Sequence, residues 1–326
     1  MPPPEAGTII DSRYRIVNLL GHGGFAGTYL ADDLKENKKV ALKLPDLNQL
    51  GDPAVYERFK RELSIGKLLQ HPDLTVSIAY SEGNPPYLVF DYLEGVTLSK
   101  LLDEKQLFPV DKTVEMVANL LDALDYCHKK GVCHRDIKPE NLMVGDDGHL
   151  KIIDFGIAMM DNSPRVTWRG FSGLIGTPEY MSPEQIKGER GNEKSDIYAV
   201  GCLLYHMIAG FPPYTSGDNP MATMYQHLTS SPKPLTQIAP DIHPSIWACV
   251  CNAMRRRKDE RYETAADLAE DLRHLDSVDL KYSELPDPPM VAVAQSRHFN
   301  KMIWIIIAIA AAAAVGLGLL VYFHSR

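Results

Sequence analysis

Apolar residues along this chain follow two rhythms. From Tyr14 to about Leu101 they fall in short runs such as YRIVNLL, KKVALKL and PYLVFDYL, the pattern of strands separated by turns. One helical stretch interrupts them, residues 53–70, where Phe59, Leu63, Gly66 and Leu69 recur at spacings of three and four. From Val110 onward helical periods dominate, as in TVEMVANLLDALDYCHKKG, IYAVGCLLYHMIAG and TAADLAEDLRHL, the first ending at Gly131 as a helix C-cap would. The pattern predicts an α+β architecture: a small β-rich lobe with one helix, then a larger, mostly helical lobe.

Two further segments follow. Residues 276–301 carry Pro286, Pro288 and Pro289 with little amphipathic period, as a linker does. Residues 302–323, MIWIIIAIAAAAAVGLGLLVYF, are an uncharged run of 22. At about 1.5 Å per residue such a run spans a hydrocarbon core of about 30 Å, so it is expected to be a transmembrane helix. Trp304 and Tyr322 sit near its ends, where aromatic rings suit the two interfaces. Small residues four apart, Ala312 with Gly316 and Ala314 with Gly318, would let two such helices pack, which leaves a homodimer open. Residues 324–326 are the expected extracytoplasmic tail.

Composition removes several alternatives. With 326 residues and 45% apolar content the chain can bury a proper core. A net charge of -8 and a pI near 5.8 give no dominant basic surface, so nucleic acid is not the expected partner. Five cysteines, Cys127, Cys133, Cys202, Cys249 and Cys251, form no CxxC pair or Cys/His cluster with metal-ligand spacing, the usage of reduced core thiols in a cytosolic domain. The opening residues Met-Pro-Pro-Pro-Glu-Ala-Gly lack the basic and apolar regions of a signal peptide, which predicts a cytoplasmic N-terminal domain.

Candidate chemistry begins at Gly21-His22-Gly23-Gly24-Phe25-Ala26-Gly27, between two predicted strands. Glycines there let backbone N–H groups close over phosphates, although a plain hairpin turn uses the same residues. No Gly-Lys-Ser/Thr follows, and a strand rather than a helix comes next, so neither a P-loop nor a dinucleotide fingerprint fits. Lys43 ends the apolar strand Val40-Ala41-Leu42, and a charge in that place needs a partner. Glu62, on the predicted helix, can supply it. The most specific signal is Cys133-His134-Arg135-Asp136-Ile137-Lys138-Pro139-Glu140-Asn141-Leu142-Met143, followed by Leu150-Lys151-Ile152-Ile153-Asp154-Phe155-Gly156. Phosphoryl transfer needs this set: one carboxylate to orient the attacking hydroxyl, a cation to offset charge on the moving group, and a second carboxylate with an amide to hold Mg²⁺.

In these motifs and their order the sequence resembles the eukaryotic-type protein kinase family, and within it the membrane-anchored bacterial serine/threonine kinases. The resemblance implies a two-lobed kinase fold over residues 14–275, with an N-lobe of 14–92 and a C-lobe of 93–275, after an N-terminal tail of 1–13. By resemblance Asp136 is the catalytic base and Lys138 the γ-phosphate contact of Ser/Thr kinases. Asn141 and Asp154 are the Mg²⁺ ligands, and Lys43, paired with Glu62, binds the α/β-phosphates. Gly21, Gly23 and Gly24 belong to the phosphate-covering loop. Leu20, Thr28, Ala41 and Met143 sandwich the adenine, Phe90 guards the pocket, and the backbone of Asp91 and Leu93 forms the hinge. Two structural roles are also implied: Glu184 pairs with Arg261, and Asp196 braces the catalytic loop. The chain departs from the family at Ala26, where a third glycine is usual, and at Thr28, where valine is usual; alanine is small enough for nucleotide to bind, and the Thr28 hydroxyl bears on adenine packing.

The implied activity is transfer of the γ-phosphoryl group of ATP to protein Ser/Thr hydroxyls, with Mg²⁺ as metal and Mn²⁺ as an alternative. Protein substrates are the expected partners, and the enzyme would be held at the inner cell membrane by one helix. Arg135 beside Asp136 gives a loop phosphate a guanidinium to bind, which marks Thr167 and Ser172 as autophosphorylation candidates against the alternative of solvated hydroxyls. By resemblance Thr177 positions substrate. Two other readings share the fold: a scaffold without turnover, disfavoured by the full set of site residues, and a small-molecule kinase, disfavoured by the Gly-Thr-Pro-Glu-Tyr and Ser-Pro-Glu segments. The basic run Arg255-Arg256-Arg257-Lys258 reads as an ion-paired surface rather than a lipid contact. His134 is expected to pack against Asp-Phe-Gly, and the other ten histidines to lie at the surface.

Overall fold

The short apolar runs of the first hundred residues become the strands of one antiparallel sheet. The computed structural model describes residues 4–22, 26–45, 53–81, 83, 86–105, 107–155, 159–160 and 178–283, with backbone alone for 53–59 and 159–160. Six strands, β1 (Ile9–Ile10), β2 (Tyr14–His22), β3 (Ala26–Asp33), β4 (Lys38–Pro45), β5 (Ser77–Ser81) and β6 (Tyr87–Asp91), lie in the order β1-β2-β3-β4-β6-β5. Alternation along β4 buries Val40, Leu42 and Leu44 with Tyr14, Ile16 and Tyr29. It turns Ala41 and Lys43 to the other side. There the helix α1 (Pro53–Leu68) packs, where the sequence predicts one, and Leu63 of α1 joins Leu88, Phe90 and Ala41 in a small apolar cluster.

The second lobe is helical. Its helices are α2 (Leu98–Asp103), α3 (Val110–Lys129), α4 (Pro183–Ile186), α5 (Glu193–Ala209), α6 (Pro220–Thr229), α7 (Leu235–Ile238), α8 (Pro244–Ala253) and α9 (Ala265–Arg273), and all but α4 and α6 contribute to one large apolar core. α3 stops where the sequence predicts, with Gly131 at φ 71° just beyond it. α5 is central, with Ile197, Val200, Leu203 and Tyr205 almost fully buried. Its start is fixed by the Asn192 N–H donating to Ser195 Oγ at 3.1 Å, and its end by Gly210 at φ 80°. Short strands β7 (Gly95–Thr97), β8 (Val132–Cys133), β9 (Leu142–Gly145), β10 (Leu150–Ile152) and β11 (Met159–Met160) carry the loops between the lobes, in the orders β10-β9-β7 and β11-β8.

All five cysteines are buried, and no disulfide occurs among the described residues. The segment after α9 forms two short 3-10 turns, Leu275–Ser277 and Leu280–Tyr282, with Val278 buried in the helical core. Among the described residues no helix is long and apolar enough to cross a membrane. The 302–323 run and residues 284–301 lie outside the described residues.

Candidate active site

Lys43 is placed by the alternation of β4, and Glu62 by the face of α1 that turns toward it. The Lys43 ammonium lies 2.8 Å from both Glu62 carboxylate oxygens and 3.0 Å from Asp154 Oδ1. Burial alone would push the Lys43 ammonium down, but the charges of Glu62 and Asp154 outweigh it and hold its pKa well above the ordinary lysine value. Burial, together with the Asp154 charge, raises the Glu62 carboxyl against the pull of Lys43. One cation therefore serves two carboxylates, and only Glu62 is almost fully enclosed.

The second half of the site is the loop between β8 and β9. His134 Nε2 lies 2.6 Å from the Asp154 carbonyl oxygen, and its ring meets Phe155 edge to face at 5.1 Å. The Asp136 N–H points to His134 Nδ1 at 3.3 Å, so Nε2 is the ring nitrogen that donates. Asn141 Nδ2 donates to the Asp136 carbonyl at 2.8 Å and to Asp136 Oδ2 at 2.9 Å. Lys138 Nζ lies 3.0 Å from the same Oδ2. Asp136 is thus fixed by an amide and an ammonium, with its side chain a quarter exposed toward the cleft.

A frame from α4 and α5 holds this loop. Asp196 accepts backbone hydrogen bonds from His134 at 2.9 Å and Arg135 at 2.6 Å, and meets His128 Nε2 at 2.8 Å. Burial opposes the Asp196 charge, but His128 and the loop donors win and keep its carboxyl below the usual range. Gln185 donates to the Arg135 carbonyl at 2.9 Å. Glu184 and Arg261 form the implied pair, at 2.8 and 2.7 Å, with Ser195 Oγ donating to the same carboxylate at 2.6 Å.

The residues implied for the adenine pocket gather on neighbouring strands. Gly21 of β2 is in register with Thr28 of β3, Thr28 with Lys43 of β4, and Ala41 of β4 with Phe90 of β6. Thr28, Ala41, Met143 and Leu93 are half-buried, Leu20 is exposed, and Phe90 is buried. The Asp91 side chain turns outward to Lys38 at 2.7 Å, which leaves its backbone for the hinge role. Beside the catalytic loop lies an open groove of about 150 Å³, lined in part by Asp103, Glu140, Glu179, Tyr180 and His206. Gly23, Gly24, Thr167, Ser172 and Thr177 lie outside the described residues.

Asn141 uses its nitrogen on Asp136 and has its oxygen left for a ligand, while Asp154 adds carboxylate oxygens. Hard oxygen donors of this kind suit Mg²⁺, so the residues present fit the implied metal.

One further sequence expectation holds here and another fails. The basic run is tied down as expected: Arg257 pairs with Asp259 and Glu260, Lys258 with Glu189, and the Arg255 guanidinium lies over the Tyr282 ring. The expectation of surface histidines fails for three. His128 is nearly enclosed against Asp196, His227 is fully buried with Nδ1 2.7 Å from the Tyr198 hydroxyl, and His206 meets the Tyr180 hydroxyl at 2.5 Å. Burial lowers the pKa of His206 to about 4 and that of His227 to about 3. His128, Gln185 and Ser195 went unread because their partners lie 68, 50 and 11 residues away. No local spacing carries such pairs.

Residues 14–278 match the family model described as "Protein kinase domain". The chain is 35% identical over 295 residues to the serine/threonine-protein kinase PknB of Mycolicibacterium smegmatis, covering 88% of this chain and 46% of that one. It is 34% identical over 295 residues to the PknB of Mycobacterium tuberculosis, with the same 88% and 46% coverage. A probable PknB of Bifidobacterium longum is 33% identical over 283 residues, covering 83% and 40%. The chain spans less than half the length of these curated relatives. By the extent of both matches, the chain belongs to the protein kinase family.

Proposed function

We propose that the chain is a serine/threonine protein kinase that transfers the γ-phosphoryl group of ATP to hydroxyls of protein substrates. One observation carries this reading: Asp136, Lys138 and Asn141 are bonded to one another in one loop, and Asp154 reaches from the adjacent segment to the Lys43–Glu62 pair. Asp136 orients the acceptor hydroxyl and takes its proton as the oxygen attacks the γ-phosphorus and the bond to the β-phosphate oxygen breaks, so that ADP leaves. Lys138, held beside it, offsets charge on the transferring group, while Lys43, aimed by Glu62, holds the other phosphates. Mg²⁺, held by Asn141 and Asp154, would neutralise phosphate charge and fix phosphate orientation, with Mn²⁺ as an alternative. Catalysis then rests on positioning and electrostatics, without a covalent enzyme intermediate.

The remaining parts of the reading rest on sequence. Residues 302–323 anchor the chain in the inner membrane, with residues 14–275 on the cytoplasmic side where ATP is found, and 276–301 as the connection. Thr167 or Ser172 receives phosphate from the enzyme itself, and Thr177 positions the acceptor. The test is transfer of radiolabelled γ-phosphate by the full chain in detergent, with Mg²⁺ and a generic protein substrate, beside Asp136→Asn. Label on serine and threonine in the first and not the second is expected. A folded wild-type protein that transfers no label would overturn the reading. Fractionation of cells at alkaline pH tests the anchor, which fails if the chain is released with peripheral proteins.

A further inference from the structure

Gly66 lies in the last turn of α1, one turn beyond Glu62, so the two share a face of the helix. Glycine is a poor helix former, so its place inside the hydrogen-bonded helix calls for a reason. The contact across from it supplies the reason. A Cβ built on Gly66 would stand 2.2 Å from Ser77 Oγ, 3.0 Å from the Ser77 carbonyl oxygen and 3.1 Å from the Ser77 nitrogen. Two of these three atoms are backbone, and Ser77 opens β5 at a register shift against β6, opposite Phe90. The Ser77 hydroxyl is itself buried without a hydrogen-bond partner. α1 therefore sits on β5 so closely that a methyl group at position 66 has no room while the Ser77 hydroxyl stays in place. Leu63, beside Glu62, packs on Phe90 in the same layer, so the seat and the ion pair belong to one rigid arrangement.

We propose that Gly66 is a positioning residue: it seats α1 against β5 so that both Glu62 oxygens stay 2.8 Å from Lys43. A methyl group there must push the helix outward by on the order of 1 Å, because a packed interior has no slack to absorb it. A hydrogen bond at 2.8 Å does not survive such a shift. The effect on turnover rests on the kinase reading above; the effect on the ion pair does not.

The test uses the full chain in detergent with Gly66→Ala, Ser77→Ala and the double variant. Gly66→Ala is expected to lower kcat/KM for ATP by about ten- to a hundredfold, the range a misplacement near 1 Å produces. KM for the acceptor peptide should stay unchanged, and the melting temperature should fall by a few degrees, because overpacking at the Ser77 contact outweighs the better helix propensity of alanine. Ser77→Ala removes the 2.2 Å contact, so it should leave ATP use alone intact and restore most of it in the double variant. A second readout needs no phosphoryl transfer: acylation of Lys43 by an amine-reactive reagent, followed by peptide mass spectrometry. It should be slow in the wild type, faster in Gly66→Ala and slow again in the double variant. Unchanged Lys43 labelling in Gly66→Ala, or no rescue by Ser77→Ala, would overturn the proposal. A wild type that transfers no phosphate but follows the labelling pattern would overturn the kinase reading alone.

Discussion

Asp196 Oδ1 accepts a 2.6 Å hydrogen bond from the backbone N–H of Arg135, a residue held at φ 68°. A left-handed backbone at a non-glycine residue costs about 1–3 kcal/mol and persists only where the surroundings enforce it. Asp196 does so from α5, 61 residues away, and it grips His134 with its other oxygen. Asp196→Asn keeps the shape but replaces one acceptor oxygen by a donor. The expected outcome is a loss of tenfold or more in kcat with little change in KM for ATP, because Asp136 loses its fixed geometry while the Lys43–Glu62 pair stays. An unchanged kcat would show that the loop keeps its conformation without this bond.

Much of this arrangement was legible before any coordinates, and the reason is physical. Strand alternation around Lys43 and the 3.6 period around Glu62 predict which faces meet, and the pair is present. Asp136, Lys138 and Asn141 lie within six residues, so their proximity is nearly dictated by chain connectivity. What stayed hidden depends on packing between distant segments. His227 looked like a surface residue because nothing near it in sequence says that α6 turns it into the core beside Tyr198 and Tyr214. Gly66 read as an ordinary apolar-face position of α1, since its importance lies in Ser77, whose approach only the fold creates.

The Glu184–Arg261 pair ties the segment before α5 to the chain beyond α8, and the Arg261 side chain is fully enclosed. Removing one partner of such a pair leaves a buried charge, so Arg261→Ala is expected to cost about 3–5 kcal/mol. Loss of under 1 kcal/mol in chemical denaturation would contradict this. Burial works against the Glu184 charge, but the Arg261 guanidinium and the Ser195 hydroxyl depress its carboxyl to about 2. Its folded pKa lies below the unfolded value, so the pair's contribution is complete above about pH 4.5 and fades as pH falls toward 2. That contribution is about 3 kcal/mol. Glu184→Gln should flatten the acid limb of the stability curve in this window.

One buried histidine, His227, and one half-buried, His206, predict a second, milder acid effect. Both are depressed by burial, His206 to about 4 and His227 to about 3, from an ordinary value of 6.5. Between pH 6.5 and 4 the unfolded chain binds protons that the folded one refuses, so stability should decline as pH falls through this range. Thermal melts at pH 7.5, 6 and 5 should show a steady drop that His227→Gln reduces. A melting temperature constant from pH 7.5 to 5 would mean that the folded protein accepts these protons at no cost.

Asn141 has two duties in the proposed mechanism, and metal dependence separates them. Its nitrogen orients Asp136 through the 2.9 Å bond to Oδ2, and its oxygen is a proposed Mg²⁺ ligand. Chelation by EDTA should abolish phosphoryl transfer by the wild type, and added Mg²⁺ should restore it. Asn141→Ala loses both duties. The Mg²⁺ concentration for half-maximal rate should rise, and the rate at saturating Mg²⁺ should still fall short by roughly 10²-fold, the usual scale of a misplaced catalytic group. If saturating Mg²⁺ restored the full rate, Asn141 would act as a ligand alone, and Lys138, 3.0 Å from the same Asp136 oxygen, would suffice to aim the base.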